Sequence, residues 1–329
     1  MDRLVVIGAS LGGVTALTDI VAALPGDFAA PILVVLHVGE LPSVLPQVLA
    51  NRSELRASHA RHGELLRNGH IHVAPPDHHM LVVDGHIVLS RGPKEHRTRP
   101  AIDPLFRSAA LSRGADVIGV VLTGLLDNGT AGLQAIKAAG GTAVVQDPEE
   151  ALAPSMPASA LRYVDVDHCV TLPLVPVLLT SLVAEPGRGS VATALRRCFA
   201  HEEEVALQEE DPMEHLEAIG SPSTFTCPEC HGTLWRILDS RPRRYRCHTG
   251  HGFTERTLRD AMAGASDEAM ESARRSLQER ELLLRDMAEE SRATGSVAEA
   301  TRLDAAAKQL NRQGELLVEL LEQGPEPFE

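Results

Sequence analysis

A strand, a glycine turn, a helix and a second strand follow one another at the start of the chain. Residues 4–7 form a short β-branched apolar run, glycines come next, and residues 14–24 carry apolar side chains at helical spacing. A second apolar run occupies residues 32–36, after a Pro-Gly break. A strand–helix–strand order is typical of parallel sheets with right-handed crossovers. The opening therefore predicts an α/β fold.

The middle of this region departs from the parallel pattern and then returns to it. Residues 80–83 and 86–89 are apolar arms joined by Asp84-Gly85, which is a strong hairpin signal. A strand, a helix and a strand follow at residues 117–122, 129–139 and 142–145. We expect a doubly wound, mostly parallel sheet with one antiparallel excursion.

With 329 residues, the chain exceeds what one hydrophobic core usually supports. The composition changes along its length. We predict four parts: an α/β domain at residues 1–183, an acidic linker at 184–223, a small zinc-ribbon-like unit at 224–254 and a C-terminal helical hairpin at 255–329.

Composition and charge exclude several classes of function. No apolar run approaches the ~18 residues that span a bilayer, so we expect no membrane insertion. The formal net charge of -14 opposes binding to nucleic acid, which needs clustered Lys and Arg. The N-terminus runs directly into the first strand without the pattern of a signal peptide, so we expect a cytoplasmic protein.

Three of the five cysteines are bunched together in the predicted small unit. A Cys-x2-Cys pair is followed by a Cys-x3-His pair, and three sulfurs with one imidazole suit tetrahedral structural zinc. The candidate ligands are Cys227, Cys230, Cys247 and His251, with His248 competing for the last place. A metal-free pair of thiols and a redox pair of cysteines are the alternatives, although no thioredoxin-like pattern surrounds the cysteines.

Ser10 lies in the turn between the first strand and the first helix, within Gly8-Ala9-Ser10-Leu11-Gly12-Gly13. The N-H groups and positive potential of a helix N-terminus favour an oxyanion there, so Ser10 is a candidate nucleophile. A dinucleotide-binding turn would need glycine in place of Ser10 and an acidic residue after the second strand, and both are missing. A simple helix-capping serine remains an alternative.

His37 ends the second strand, at the same edge of the predicted sheet as Ser10, and is a candidate base. An acid that orients the imidazole is available after a later strand, in Asp127-Asn128. The resulting order of serine, histidine and acid differs from the order in α/β-hydrolases. Other histidines between residues 59 and 96 are expected to be mostly solvated.

Several motifs in order resemble the catalytic domain of CheB-type chemotaxis protein-glutamate methylesterases, across roughly residues 1–183. The matching residues are the Gly-Ala-Ser-x-Gly-Gly turn at 8–13, His37, Ala74-Pro75, His79, Arg99-Pro100, the stretch from Asp103 to Ser108, Leu122-Thr123-Gly124, Gly129 and Met156-Pro157.

The resemblance implies a doubly wound fold without a catalytic cofactor. It implies hydrolysis of γ-glutamyl methyl esters on the cytoplasmic helices of methylated chemoreceptors or a related signalling protein. Methanol is released, and some members also deamidate glutamine. Ser10 would be the nucleophile and His37 the base. The candidate oxyanion and substrate-binding residues are Leu11, Gly12, Leu125, where the family has Met, and His79.

The sequence departs from the family at one position of the site. The family has Asp immediately before the glycine that matches Gly129, whereas this chain has Asn128, preceded by Asp127. We expect Asp127 to take over the role through a small shift of the loop. The alternative is a catalytically weak or inactive signalling scaffold that retains the receptor-binding fold. Because Ser10 lies so near the start, no receiver domain is expected before it.

Overall fold

The computed structural model describes residues 3–38, 41–187, 193–207, 212–238 and 240–322. The chain divides into two compact units, Met1–Leu258 and Arg259–Glu329. In chain order, the strands are β1 Leu4–Ala9, β2 Ile32–Leu36, β3 Arg56–His59, β4 Glu64–Leu65, β5 His70–Val73, β6 His79–Val83, β7 His86–Ser90, β8 Val117–Val121, β9 Thr142–Gln146, β10 His168–Val170, β11 Gly220–Thr226, β12 Thr233–Ile237, β13 Arg244–Cys247 and β14 Gly252–Thr254.

Helices separate most of the strands of the central sheet, and two long helices end the chain. The helices are α1 Gly13–Ala22, α2 Leu45–Ala50, α3 Ile102–Arg113, α4 Thr130–Ala138, α5 Ser155–Tyr163, α6 Val175–Ala184, α7 Thr193–Leu207, α8 Pro212–Ile219, α9 Glu255–Ala293 and α10 Val297–Glu322.

The central sheet has seven strands in the order β10-β9-β8-β1-β2-β5-β3. Each neighbouring pair is parallel. Alternate residues of β1 enter two cores: Val6 packs with residues of α3, α4 and α5, whereas Val5 packs with residues of α1 and α2. Both faces of the sheet are thus covered, and the predicted doubly wound α/β fold is confirmed.

The order of the strands reverses beside β1. The chain proceeds from β1 to β2 on one side, and later from β8 to β9 on the other. In open α/β sheets, the crevice at the carboxyl ends of the strands where the order reverses is the usual place for a ligand. The loops that follow β1, β2 and β8 meet at this edge.

The predicted hairpin is also present. β6 and β7 pair antiparallel, and β4 adds to β7 to make a three-stranded sheet. Asp84 and Gly85 form the turn with φ angles of 47° and 78°. A left-handed pair of this kind matches the twist of the two strands, which explains the Asp-Gly signal.

The acidic linker predicted at residues 184–223 needs correction. Two helices, α7 and α8, occupy most of its described part, while residues 188–192 and 208–211 lie outside the described residues. Glu202 and Glu203 of α7 are buried. Glu202 is bonded to Arg244 and Arg246 of β13, so part of the acidic run forms internal ion pairs. These partners are 42 and 44 residues away in the sequence, so the local pattern of charge does not predict the pairing.

β11 to β14 form a four-stranded antiparallel sheet that contains the cysteine cluster. This small sheet belongs to the same compact unit as the seven-stranded sheet. The boundary predicted at residue 224 therefore lies inside a unit of the structure.

The second unit is the predicted helical hairpin, formed by the rest of α9 and by α10. Gly295 has a φ of 84° between the helices, and the Ser296 N-H donates to the Ser291 carbonyl at 2.8 Å. Arg292 and Asp304 form an ion pair between the two helices. Residues 323–329 lie outside the described residues. In the described part of the chain, no helix is long and apolar enough to cross a bilayer.

Candidate active site

Ser10 follows the last residue of β1, and two residues separate it from the start of α1. Its N-H donates to the Thr123 carbonyl at 2.9 Å, and its own carbonyl accepts the Gly13 N-H at 2.8 Å. Gly12 has a φ of +82°, and a Cβ on Gly13 would lie 2.6 Å from Leu36 Cδ1. The two glycines are thus needed to turn the chain sharply at the edge of the sheet.

The loop after β8 lies against Ser10. A Cβ placed on Gly124 would be 2.9 Å from Ser10 Cβ and 2.1 Å from Met156 Sδ. The Gly124 N-H donates to the Ala153 carbonyl, and its carbonyl accepts the Met156 N-H, both at 2.9 Å. Gly124 is therefore the residue that lets the loop pass closely beside the candidate nucleophile.

His37 follows β2, and its N-H donates to the Ala9 carbonyl at 3.4 Å. This backbone contact sets His37 beside the strand that leads to Ser10. Desolvation lowers the pKa of His37 to about 4; the charge of His96 lowers it further, and that of Asp103 opposes the shift. The imidazole is therefore neutral at pH 7.

Asn128 is the residue of the β8 loop that contacts this imidazole. Asn128 Nδ2 lies 3.0 Å from His37 Nε2. Its Oδ1 accepts the N-H groups of Ile102 and Asp103, at the start of α3, at 3.1 and 3.2 Å. A flipped amide would point its NH2 group at two N-H donors, so this network fixes the orientation of Asn128.

The orientation of Asn128 determines the tautomer of His37. Because Asn128 Nδ2 is a donor, His37 Nε2 must accept, and the proton of the neutral ring then resides on Nδ1. Nδ1 is the imidazole nitrogen that Asn128 does not contact, and in this tautomer it can donate a proton but cannot accept one. A carboxylate at position 128 would favour the opposite tautomer, with Nδ1 ready to accept a proton. Asn128 thus favours the tautomer of His37 in which Nδ1 carries the proton.

Asp127 does not occupy the place beside His37 that the sequence analysis expected for it. Thr254 Oγ1 donates to Asp127 Oδ1 at 2.9 Å, and this oxygen lies 3.9 Å from His96 Nδ1. Leu126, with a φ of +64°, turns the chain just before it. Burial raises the pKa of Asp127, against the charge of His96 and the hydrogen bond from Thr254.

His96 and Asp103 form a buried pair that sequence reasoning missed. Their side chains are 6% and 1% exposed, and His96 Nε2 lies 2.9 Å from Asp103 Oδ2. Burial alone would lower the pKa of His96, but the hydrogen bond and charge of Asp103, with the charge of Asp127, raise it. His96, which we expected to be solvated, instead packs against Asp103, and the Asp103 N-H in turn donates to Asn128. No local pattern signals this, because the contacts depend on the tertiary fold.

His79 is placed behind the site. It is fully buried, its Nδ1 accepts the Ala101 N-H at 3.2 Å, and its Nε2 donates to the Pro93 carbonyl at 2.9 Å. Burial lowers the pKa of His79 to about 4, which matches this neutral state. Both nitrogens are used by backbone, so His79 supports the loop before α3 and has no free nitrogen for a substrate.

Leu11 follows Ser10 in the chain, and Leu125 lies in the adjoining loop after β8. These residues are 53% and 55% exposed. Among the described residues, no hydrogen bond engages their backbone N-H groups. The N-H groups of Leu11, next to Ser10, and of Leu125, next to Gly124, are therefore available to bind an oxyanion. The oxyanion-hole role of Leu11, Gly12 and Leu125 stays a prediction. The exposed leucine side chains give the rim of the site an apolar surface.

The fold and these residues define a doubly wound α/β protein with a serine and a histidine at the carboxyl edge of its parallel sheet. Residues 5–179, more than half of the chain, match the family model described as CheB methylesterase. The chain belongs to the CheB methylesterase family.

Curated relatives agree with this assignment. A protein from Anaeromyxobacter dehalogenans (strain 2CP-C) named protein-glutamate methylesterase/protein-glutamine glutaminase 2 is 39% identical over 181 residues, which cover 55% of this chain and 53% of the relative. A putative protein of the same name from Leptospira interrogans (serovar copenhageni) is 36% identical over 180 residues, covering 54% and 93%. The chain spans about half the length of the first of these relatives, and of others like it.

A solved structure matches the same part of the chain. The crystal structure of the Thermotoga maritima CheB methylesterase catalytic domain has a TM-score of 0.53 and 33% sequence identity. The match covers 55% of this chain and 99% of that domain.

Proposed function

We propose that the first unit is a serine hydrolase that cleaves γ-glutamyl methyl esters on methylated chemoreceptor-type proteins in the cytoplasm. The observation that carries the proposal is the meeting of Ser10, His37 and the β8 loop at one edge of the sheet. Family membership and the names of the relatives support the choice of ester.

In the proposed reaction, Ser10 Oγ attacks the ester carbonyl while His37, in its minor tautomer with Nδ1 unprotonated, takes the hydroxyl proton. The tetrahedral oxyanion lies near the free N-H groups of Leu11 and Leu125, which offer donors where negative charge develops. His37 then gives its proton to the leaving methoxide, so methanol departs. Water, activated by His37, hydrolyses the acyl-enzyme to the glutamate carboxylate and regenerates Ser10. Glutamine follows the same steps with ammonia as the leaving group.

The apolar rim favours a proteinaceous substrate. Leu11 and Leu125 are more than half exposed next to Ser10, where a site for a small ester alone would gain nothing from exposed leucines. An amphipathic helix bearing the ester would cover them, since such helices place apolar side chains in grooves of their partners. This arrangement fits the cytoplasmic helices of a methylated receptor.

The activity is tested by methanol release from methylated receptor cytoplasmic fragments, together with labelling by a fluorophosphonate probe. We expect release and labelling by the wild type. Ser10→Ala should abolish both, and His37→Ala should reduce release at least a hundredfold. Ser276→Ala, at an exposed serine of α9, is the matched control and should change neither. Release that persists in Ser10→Ala would refute the assigned nucleophile.

The tautomer set by Asn128 favours a second candidate, a signalling scaffold with little or no turnover. The scaffold binds the same receptor helices without cleaving them. It would be supported if wild type bound the methylated fragment but released no methanol, and if Asn128→Asp restored release.

A further inference from the structure

The cysteine cluster brings four ligand atoms together in the small sheet. The thiols of Cys227, Cys230 and Cys247 and one imidazole nitrogen of His251 all lie within 4.8 Å of one another. We call these four residues the Cys3His cluster. The Cys-x2-Cys turn lies between β11 and β12, and the other two ligands lie at the end of β13 and just before β14.

Distances within the cluster match a tetrahedral metal site. Cys230 Sγ and Cys247 Sγ are 3.5 Å apart, and His251 Nδ1 is 3.4 Å from Cys247 Sγ and 3.9 Å from Cys227 Sγ. Zn-S bonds of about 2.3 Å and Zn-N bonds of about 2.0–2.1 Å at tetrahedral angles place sulfurs ~3.8 Å apart and sulfur and nitrogen ~3.6 Å apart. The side chains therefore already surround a space of the right size for zinc.

Other contacts favour thiolates over a disulfide. The cysteines are free, and 3.5 Å is far beyond the ~2.05 Å of an S-S bond. The His251 N-H and the Thr249 hydroxyl donate to sulfurs of the cluster, at 3.2 and 3.3 Å. Donors aimed at sulfur stabilise negative charge there, as a metal-bound thiolate requires.

His248, the competing ligand, is excluded by its position. It is exposed and lies over Gly232, where an added Cβ would be 1.9 Å from His248 Cε1. The Cys3His cluster thus uses His251.

Short links connect the cluster to the active-site loop. One residue after His251, the Gly252 carbonyl accepts the His96 N-H at 2.8 Å, and the Gly252 N-H donates to the Lys94 carbonyl at 3.2 Å. Two residues further, Thr254 donates to Asp127, the neighbour of Asn128. On the other side of the cluster, Glu229 pairs with Arg97 at 3.5 Å.

A buried ion-pair network fixes the same region. Arg246, adjacent to Cys247, bonds Glu95 at 2.8 Å and Glu202 at 3.1 Å. Arg107 of α3 forms two bonds with Glu95 at 2.5 and 3.0 Å. Although burial alone would raise the pKa of Glu95, the two arginines hold it well below its usual range. Arg246 and Glu202 keep these partners only while β13 stays in place.

We propose that the Cys3His cluster binds one zinc ion, and that the metal keeps β13 and β14 in place so that Thr254 and Gly252 hold the loop of Asp127 and Asn128. The zinc is structural and takes no part in the reaction. A small sheet with few core residues of its own gains stability from a metal, because binding energy becomes folding energy. Loss of zinc frees β14 and with it the support of the loop.

Metal content tests the site. Full-length protein purified under reducing conditions should contain about one equivalent of zinc. Cys230→Ser and His251→Ala should lose it, whereas Cys198→Ser and His248→Ala, the matched controls, should retain it. Replacement of zinc by cobalt should give the visible bands of a tetrahedral thiolate site. Less than about a tenth of an equivalent in the wild type, without cobalt binding, would refute the zinc site.

Hydrogen exchange tests the link to the active site, independently of esterase activity and of how well the ligand variants fold. Chelation of zinc from the wild type should speed exchange at residues 94–103 and 124–129 about tenfold, and zinc addition should reverse it. Thr254→Val should keep the zinc and speed exchange at 124–129 alone. Unchanged exchange in both segments after verified zinc removal would show that the metal does not support the loop.

Discussion

Asn128 Nδ2 lies 3.0 Å from His37 Nε2, and this contact places the proton of the neutral imidazole on Nδ1. The Asn128 amide cannot flip, because its Oδ1 accepts two N-H groups from the start of α3. If His37 Nδ1 is the atom that accepts the Ser10 proton in the proposed reaction, this tautomer slows the proposed esterase.

Replacement of Asn128 by Asp should accelerate methanol release by about a hundredfold or more. The carboxylate can accept the same two N-H groups and also the His37 Nε2 proton, which frees Nδ1 to accept a proton from Ser10. The reverse change in a serine protease costs about 10⁴ in turnover. Single-turnover methanol release measures the effect. Asn128→Ala, which removes the donor without supplying an acceptor, should gain much less; a folded Asn128→Asp no faster than wild type would contradict the tautomer argument.

The pH dependence of the reaction should reflect the low pKa of His37, about 4. The base works in its neutral form, so kcat/KM should stay level from pH 7 down to about pH 5 and fall as His37 is protonated near pH 4. In Asn128→Asp, the added carboxylate favours the imidazolium and should move this acid limb to higher pH. Rate profiles with a soluble ester check both shifts. An acid limb near pH 6.5 in the wild type would contradict the desolvation of His37.

Glu203→Gln should stabilise the first unit at neutral and alkaline pH. Both carboxylate oxygens are buried without a hydrogen-bond partner among the described residues, and burial raises the pKa of Glu203 to about 8, from 4.5. The folded state binds the proton more tightly, so stability is lost as pH rises from about 4.5 towards 8. The substitution removes this loss, on the order of 4 kcal/mol at pH 8.

Thermal unfolding of the wild type and of Glu203→Gln at pH 5 and pH 8 measures this difference. The gain in Tm should be larger at pH 8. Glu204→Gln removes the same charge from a half-buried neighbour and should have a smaller effect. An equal gain at both pH values would show that Glu203 is not protonated in the folded state.

Gly124→Ala should damage the site through crowding. The new Cβ would lie 2.1 Å from Met156 Sδ and 2.9 Å from Ser10 Cβ, so both neighbours must move. We expect a loss of about 1–3 kcal/mol in the free energy of unfolding and at least a tenfold loss of methanol release. Gly314→Ala in α10 is the control. A Cβ added there meets no atom within 4 Å outside the nearby helix backbone, so the change should be neutral or slightly stabilising. Full activity in Gly124→Ala would contradict the close packing against Ser10.

Local pattern was sufficient to predict the doubly wound sheet and the positions of Ser10 and His37. Both residues directly follow short apolar strands, and parallel strands place such residues at one edge. The choice between Asp127 and Asn128 was beyond this reasoning. The choice depends on the left-handed turn at Leu126. After this turn, the Asp127 side chain contacts Thr254 and the Asn128 side chain contacts His37.

The helix at residues 193–207 was missed for a different reason. A run of acids is normally solvated, but Glu202 is buried because Arg244 and Arg246 approach it from a sheet much later in the chain. His96 was misjudged in the same way, since Asp103 and Thr257 enclose it only in the folded protein. Charge pairs between distant segments leave no periodic signal in a sequence.

The sharing of Glu95 between Arg107 and Arg246 has a consequence for protein engineering. A truncation at the end of the family-matched region, residue 179, would retain Arg107 and remove Arg246, which is 151 residues from Glu95 in the chain. The shortened protein would expose a carboxylate and an arginine that had been enclosed, and it would leave Asp127 without the Thr254 hydroxyl. Chimeras with relatives should therefore exchange residues 93–107 and 193–257 together, as one cassette.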